Sequence, residues 1–397
     1  MPNLLRAGSA AALLAASIVT SALAAPVGPP PPYIPPVYPG FWGTGIDTLN
    51  TGVSASGAVV VGQRSNATAY RWDRVVSTTN MNNPPDGSSV ADVGQTVFPG
   101  VNGVSADGLV TVGAVYAGTQ NGLGDSVRWS PTATGATASY LASLNTNQAT
   151  DAARASNFDG SIIAGYQFFY IPAAGSAAQV PIRWVNGTPS QLLTPSGYYF
   201  GEANGINGSG NIIVGHAFNT PSYTVNATIW NNGSPTAVGG IITGGASSFV
   251  GVNPLGNLAV GYASNGTANV AVAYDIALSS FSTLPALAGT SSGLARDASD
   301  NWDVVGTMNL SAGGSTAFLW NSTLGTVDLN VYLASLGFNL SGWTLTSAYA
   351  ISSDGLTIVG GGTHNGLNEG WVVTIPTPAA TSLAALGCIA TLRRKRR

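Results

Sequence analysis

A segment of the form V-S-A-D-G-x-x-V-V-G, ten residues in six copies and nine in one, occurs seven times, and only a fold built from a repeated unit accommodates it. The copies are VSASGAVVVG (53–62), VSADGLVTVG (104–113), SNFDGSIIAG (156–165), INGSGNIIVG (206–215), VNPLGNLAVG (252–261), ASDNWDVVG (298–306) and ISSDGLTIVG (351–360). They close on Gly62, Gly113, Gly165, Gly215, Gly261, Gly306 and Gly360, at separations of 51, 52, 50, 46, 45 and 54 residues. After each closing glycine comes a loop of variable length, then an aromatic-ended run: AYRW (69–72), SVRW (126–129), PIRW ending at Trp184, ATIW (227–230), VAYD (272–275), AFLW (317–320) and EGWVV (369–373). Trp72, Trp129, Trp184, Trp230, Trp320 and Trp371 are thus expected to share one repeat position.

The position five residues before each closing glycine holds Gly57, Gly108, Gly160, Gly210, Gly256, Asn301 and Gly355. A tight hairpin turn needs positive φ there, which Gly and Asn supply cheaply. The Val/Ile run that follows reads as a buried strand, and its closing glycine suits a bulge or a close backbone approach. The aromatic run pairs with it, and further strands fit the remainder, for example QLLT (191–194) and EANGI (202–206). Four strands in roughly 48 residues leave no room for crossover helices, so pairing is antiparallel. One such sheet cannot bury both faces alone, but a ring of them can. The chain is therefore expected to be all-β, a seven-bladed propeller of four-stranded antiparallel blades. An open β-solenoid is the alternative, with rungs that are usually shorter. The last repeat lacks an outer strand, and the extra segment GFWGTGIDTL (40–49) is expected to supply it. Trp42, Trp302 and Trp343 fall outside the repeated aromatic position and read as core filling.

The turn and the aromatic strand together resemble the HAF repeats of bacterial extracellular proteins, over roughly residues 50–375. Thr316-Ala317-Phe318-Leu319-Trp320 is the nearest copy of the "HAFLW" strand, with Thr in place of His. Gly215-His216-Ala217-Phe218 matches the letters at a different place in its repeat. The resemblance implies a repeat architecture and no defined activity.

The ends read as addresses. In residues 1–24, Arg6 gives a positive start, Ala10 to Val19 an apolar run, and Ala22-Leu23-Ala24 a small-x-small site with cleavage before Ala25, the pattern of a signal peptide. Residues 25–39 hold eight Pro and form an extended linker. The repeats occupy 40–375. In 376–397 the break Pro376-Thr377-Pro378 precedes an apolar stretch, read as a short hydrophobic helix, and the basic run Arg393, Arg394, Lys395, Arg396 and Arg397. Those bases resist translocation, so the tail implies transient membrane association. Cys388 inside it reads as a small buried residue. The whole tail resembles PEP-CTERM sorting tails, with Thr377 where the family has Glu; the resemblance implies a sorting protease of the exosortase type as partner. The expected location is the cell surface or beyond.

Chemistry is sparse. Charged residues are 7% of the chain, against about 25% in ordinary domains. Between Arg6 and Arg393 lie seven Arg and all 16 acids, a balance of 7 − 16 = −9, which excludes nucleic acid as a partner. No phosphate loop, nucleophile elbow or zinc spacing occurs. His216 and His364 follow closing glycines and read as exposed loop residues, while Asp107, Asp159 and Asp354 are explained by turn chemistry. No catalytic residue, metal ligand or cofactor is expected. Two functions remain. The main one is a non-catalytic binding, adhesion or matrix protein, with a polysaccharide or other surface ligand as partner; Tyr116, Tyr166, Tyr170, Asn219 and Tyr223 in the loops after the closing glycines suit carbohydrate stacking. The alternative is a secreted enzyme acting on glycans or peptides at the ring axis. Glu202 or Asp297 beside a His in one pocket would favour the enzyme. An autotransporter passenger is disfavoured, since no run of barrel strands follows.

Overall fold

The computed structural model describes residues 39–64, 69–74, 97–117, 124–132, 135–144, 151–171, 176–218 and 224–376. The expected signal peptide, all of the linker but Pro39, and the tail beyond Pro376 lie outside the described residues, as do Asn219 and Tyr223.

The fold is a seven-bladed β-propeller of antiparallel blades. Blade 1 is Thr48–Val53, Val59–Arg64 and Ala69–Asp73, three strands among the described residues. Blade 2 comprises Val97–Val104, Thr111–Ala117, Gly124–Thr132 and Gly135–Tyr140. Blade 3 comprises Asp151–Ser156, Ile162–Ile171, Ser176–Val185 and Thr188–Gln191. Blade 4 runs through Phe200–Ile206, Ile212–Phe218, Val225–Asn231 and Ser234–Gly239, and blade 5 through Ser247–Val252, Leu258–Ser264, Asn269–Asp275 and Ser280–Thr283. Blade 6 is Thr290–Ala298, Val304–Leu310, Ser315–Asn321 and Gly325–Asp328, followed by a short helix, Leu329–Ser335, whose N-cap Asp328 accepts the Asn330 N–H. Blade 7 takes Trp343–Ile351, Thr357–His364 and Leu367–Thr374. The first strand of every blade is innermost and touches the first strand of the next, blade 7 returning to blade 1. Of the proposed QLLT strand only Gln191 is in a strand; EANGI lies in the inner strand of blade 4.

Each repeat turn is held by a side chain. Ser54, Ser105, Asn157, Asn207, Asn253, Ser299 and Ser352 are all buried. Each accepts a hydrogen bond from the backbone N–H that opens the second strand, at Val59, Val110, Ile162, Ile212, Leu258, Asp303 and Thr357. Left-handed φ values of 69° to 78° fall on the turn glycines of six blades. The sixth turn corrects the sequence reading: its repeat is one residue shorter, so the left-handed position is taken by Trp302 at φ 66° and not by Asn301.

These turns are wired to one another around the axis. Ala55 N–H donates to Ala106 O, Asp107 to Phe158, Phe158 to Gly208, and Gly208 to Pro254. Pro254 has no N–H to pass on; there the carboxylate of Asp300 accepts from Leu255 N–H at 2.8 Å. Asp300 N–H then donates to Ser353 O, and Ser353 N–H to Ala55 O, which completes the circuit.

Between blades lie the cores. The blade 6 residues Val305, Ala317 and Leu319 pack with Leu345, Ile358 and Trp371 of blade 7. Trp184, Trp230 and Trp371 are fully buried, and their indole N–H groups donate to Ala142 O, Leu193 O and Gly361 O. Trp371 corrects the sequence reading: it pairs with the closing Gly360 itself, whereas Trp72, Trp129, Trp184, Trp230 and Trp320 pair two residues before theirs.

The extra N-terminal segment closes the ring. Gly40–Ile46 pairs antiparallel with Leu367–Thr374 as the outer strand of blade 7, while Thr48 and Leu49, expected in the same segment, already belong to blade 1. Phe41 sits edge-on to Trp343 at 5.2 Å. Trp42 meets Trp72 of blade 1 edge-on at 6.4 Å, with the Arg74 guanidinium 4.7 Å over its ring. Trp42 and Trp343 thus pack within the ring, as does Trp302 against the cluster of Leu258, Val304 and Phe318. Burying one large apolar side chain contributes about 2 kcal/mol, and 1 kcal/mol shifts the melting temperature of a chain this size by roughly 2–4 °C. Deleting Gly40–Ile46 should therefore lower the melting midpoint by about 10 °C or more in a calorimetric scan; an unchanged midpoint would refute closure by this strand.

Candidate functional site at the ring axis

Blades 6 and 7 carry a second bulge on the inner strand, at Ser291 and Thr346, and every inner strand carries one at a shared repeat position. The unpaired residues are Thr51, Asn102, Arg154, Asn204, Val250, Arg296 and Tyr349. A bulge turns its extra residue out of the ladder, and all seven line one axial cavity of about 480 Å³. The closing glycines make this possible. A Cβ on Gly62, Gly113, Gly165, Gly215, Gly261, Gly306 or Gly360 would collide with the backbone oxygen of Leu49, Gly100, Ala152, Glu202, Ser248, Leu294 or Ser347 respectively, in each case two residues before the bulge.

Polar groups beside the bulges join adjacent blades. Asn102 Nδ2 donates to Ala153 O at 2.7 Å, and Asn204 Nδ2 to Phe249 O at 2.9 Å. Asp297, next to the bulged Arg296, accepts from Ile351 N–H of blade 7 at 3.0 Å and from Ala298 N–H at 2.9 Å. Desolvation in the cavity wall pushes its carboxyl up to about 7, against the smaller lowering from those two hydrogen bonds.

A second group of polar residues adjoins this cavity across blades 3 to 5. Arg154 pairs with Glu202 at 3.4 Å and lies 5.1 Å over the Tyr166 ring. Glu202 stands directly across the ladder from His216, and His216 Nδ1 shares a 3.1 Å hydrogen bond with Ser248 Oγ of blade 5. Burial lowers the His216 pKa; the Glu202 charge raises it, and Arg154 lowers it further. The imidazole is therefore neutral at neutral pH. Ser248 is 4% exposed and so unavailable as a nucleophile.

Both histidines correct the sequence reading, which placed them in exposed loops. His216 lies inside a strand of blade 4 and His364 ends a strand of blade 7. His364 stacks on Trp343 at 4.5 Å and pairs with Glu369 at 2.9 Å, while the other Glu369 oxygen accepts from Gly45 N–H at 3.0 Å. That group braces the closing strand. The carboxylates of Asp107, Asp159 and Asp354 accept hydrogen bonds within their own turns. Among the described residues no cluster of three or more His, Cys, Asp or Glu could hold a metal ion, and no helix is long and apolar enough to cross a membrane.

No family model and no curated protein sequence matches this chain. Among solved structures it is similar to a puromycin hydrolase (S511A mutant complexed with PGG), at 13% identity, TM-score 0.53, over 80% of this chain and 50% of that one. It is similar to an oligogalacturonate lyase from Vibrio parahaemolyticus at 10% identity and TM-score 0.51, over 83% and 92% of the two chains. An acylaminoacyl peptidase matches at 10% identity and TM-score 0.51, over 75% and 47%. The chain spans about half the length of the hydrolase and the peptidase. Likeness at this identity establishes the propeller. The expectation of a non-catalytic surface binder, and of no enzyme, is nevertheless corrected: the neighbours named are enzymes, and nothing favours the non-catalytic reading over the enzyme alternative.

The titration of Asp297 gives a direct check on the axis. Its pKa is raised on folding, so the native state holds this proton more tightly than the unfolded chain. The resulting stability is complete below about pH 4, the unfolded value, and is lost as the pH rises through about 7. Asp297→Asn should flatten the fall of the melting temperature between those limits. An unaltered slope would remove Asp297 from the account.

Proposed function

We propose that the protein is an enzyme that acts on a glycan or peptide at the axis of its propeller. One observation carries this reading: Arg154, Glu202 and His216 meet beside the axial cavity with the imidazole held neutral. A neutral histidine is the form that takes a proton, and a positioned general base contributes about 10²–10⁴-fold in rate. Ser248 engages Nδ1, which leaves Nε2 to face the reacting proton, either of an attacking water or of a carbon acid. Glu202 stabilises the imidazolium that results. Arg154, partly exposed in the cavity wall, stabilises negative charge developing on the substrate. Glycan is favoured over peptide because the oligogalacturonate lyase is matched over 92% of its length, whereas half of the puromycin hydrolase and of the peptidase has no counterpart here.

The test is turnover on panels of acidic and neutral polysaccharides and of chromogenic peptides, read as new reducing ends, as unsaturated sugar absorbance or as released chromophore. His216→Ala should reduce the observed rate at least 100-fold while the circular dichroism spectrum and melt stay native. Lack of turnover on every panel, or a fully active His216→Ala protein, would reject the assignment.

We further propose that the chain is an exported HAF-repeat protein. The signal pattern ending at Ala24 and the PEP-CTERM-like tail from Pro376 support it, and an exosortase-type protease would process the tail after transient membrane association. A chain ending at Ile375 should be exported but shed into the medium, whereas the full chain should first appear in the membrane fraction. Identical fractionation of the two would reject a sorting role for the tail.

A further inference from the structure

The axial cavity holds a cation without an anion. Arg296 reaches it from the bulge of blade 6, and its guanidinium is half-buried. Its Nε donates to Thr307 Oγ1 at 3.2 Å and its plane lies 4.4 Å over the Tyr349 ring. Among the described residues no carboxylate pairs with it, and its two terminal nitrogens donate to nothing. Asp297 is adjacent in sequence, but its two oxygens are directed to Ile351 N–H and Ala298 N–H. Three blades away in the ring of seven, on the facing wall, Arg154 is neutralised by Glu202 through one terminal nitrogen. Its Nε is buried and has no partner.

Two hydroxyls of the same wall are in the same condition. Thr51 Oγ1 and Ser156 Oγ are buried without a hydrogen-bond partner, and both residues line the cavity. A buried polar group without a partner costs on folding, and three such groups on residues that line one cavity, with the Arg296 guanidinium lacking a carboxylate beside them, mark a site that a ligand completes. Asn102 and Asn204 add acceptors. Each commits its amide nitrogen to the next blade, and among the described residues nothing donates to the amide oxygen.

We propose that the axial cavity binds a carboxylated oligosaccharide, its carboxylate on the Arg296 guanidinium and its hydroxyls on Thr51, Ser156 and the amide oxygens of Asn102 and Asn204. The guanidinium fork matches a carboxylate in two parallel hydrogen bonds. A ligand with many hydroxyls suits unpartnered hydroxyls and amide oxygens better than an acidic peptide does. The Tyr349 ring keeps the guanidinium plane fixed. This inference deepens the enzyme reading by naming its substrate class, and it is tested by binding alone.

Isothermal titration calorimetry of the full chain would use three probes: trigalacturonate, its methyl-esterified form, and a glutamate-rich hexapeptide. The trimer should bind at least 10-fold more tightly than the uncharged ester, and more weakly as salt rises. It should also bind more tightly than the peptide. Arg296→Gln should lose about 10-fold or more in affinity for the trimer, and Arg296→Lys should recover part of the loss. The comparison of trimer with ester uses the native protein, so it stands even where a variant fails to fold. Equal affinity for trimer and ester, tighter binding of the peptide, or undiminished binding by a folded Arg296→Gln protein would each overturn the proposal. Charge-selective binding with no turnover would reject the enzyme reading and keep this one, whereas turnover of the ester without charge preference would do the reverse.

Discussion

The structure depends on one contact made seven times, a backbone carbonyl of the inner strand seated where the Cβ of the next strand's closing residue would be. Only glycine permits that approach, and the approach is what allows the inner strand to carry an extra residue without losing its ladder. Each bulge also tightens the twist of its strand, so one local exclusion serves both the shape of the ring and the content of its axis. A methyl group at Gly215, for example, would meet the Glu202 oxygen and displace the strand that presents both Glu202 and Asn204.

Closure is secured at two radii. Near the axis, each turn donates to the next through backbone N–H groups, and the circuit survives a proline because the Asp300 carboxylate takes over the missing step. At the rim, Gly40–Ile46 supplies a strand that the last repeat lacks. Both devices join blade 7 to blade 1, and at the rim the chain itself runs from one blade to the other through Asp47. Trp42, wedged between Trp72 and Arg74, fastens the rim in the same place.

The ring was legible in the sequence because its constraints act on backbone space. A carbonyl over a Cα admits glycine alone, and a left-handed turn position strongly prefers it, so both leave a periodic mark. Counting back from Gly306 misplaced the sixth turn because that repeat is shorter by a residue, and Trp302 tolerates the left-handed φ that packing imposes. The bulged residues left no mark. Thr, Asn, Arg, Asn, Val, Arg and Tyr occupy equivalent slots, since the side chain points to the axis and not into a core that would dictate its size. His216 was misjudged for a related reason. The strand continues past the closing glycine, so a residue one step beyond it lies across the ladder from Glu202 and not in a loop.

Charge placement links these facts to function. The repeats carry −9 in formal charge with seven arginines, and solubility rests on Ser, Thr, Asn and Gly. Surface arginines here are satisfied locally, as Arg71 is by Asp73. Two of the seven arginines nevertheless occupy bulge slots, the positions that packing leaves freest, and they do so on facing walls of one cavity. A chain sparing in charge that sets cations where stability asks for none has separated two demands: the glycine and its carbonyl maintain the ring, and the bulged residue is left open to chemistry. The repeat therefore shows what builds the scaffold, and its departures from uniformity at the bulge show where the scaffold is used.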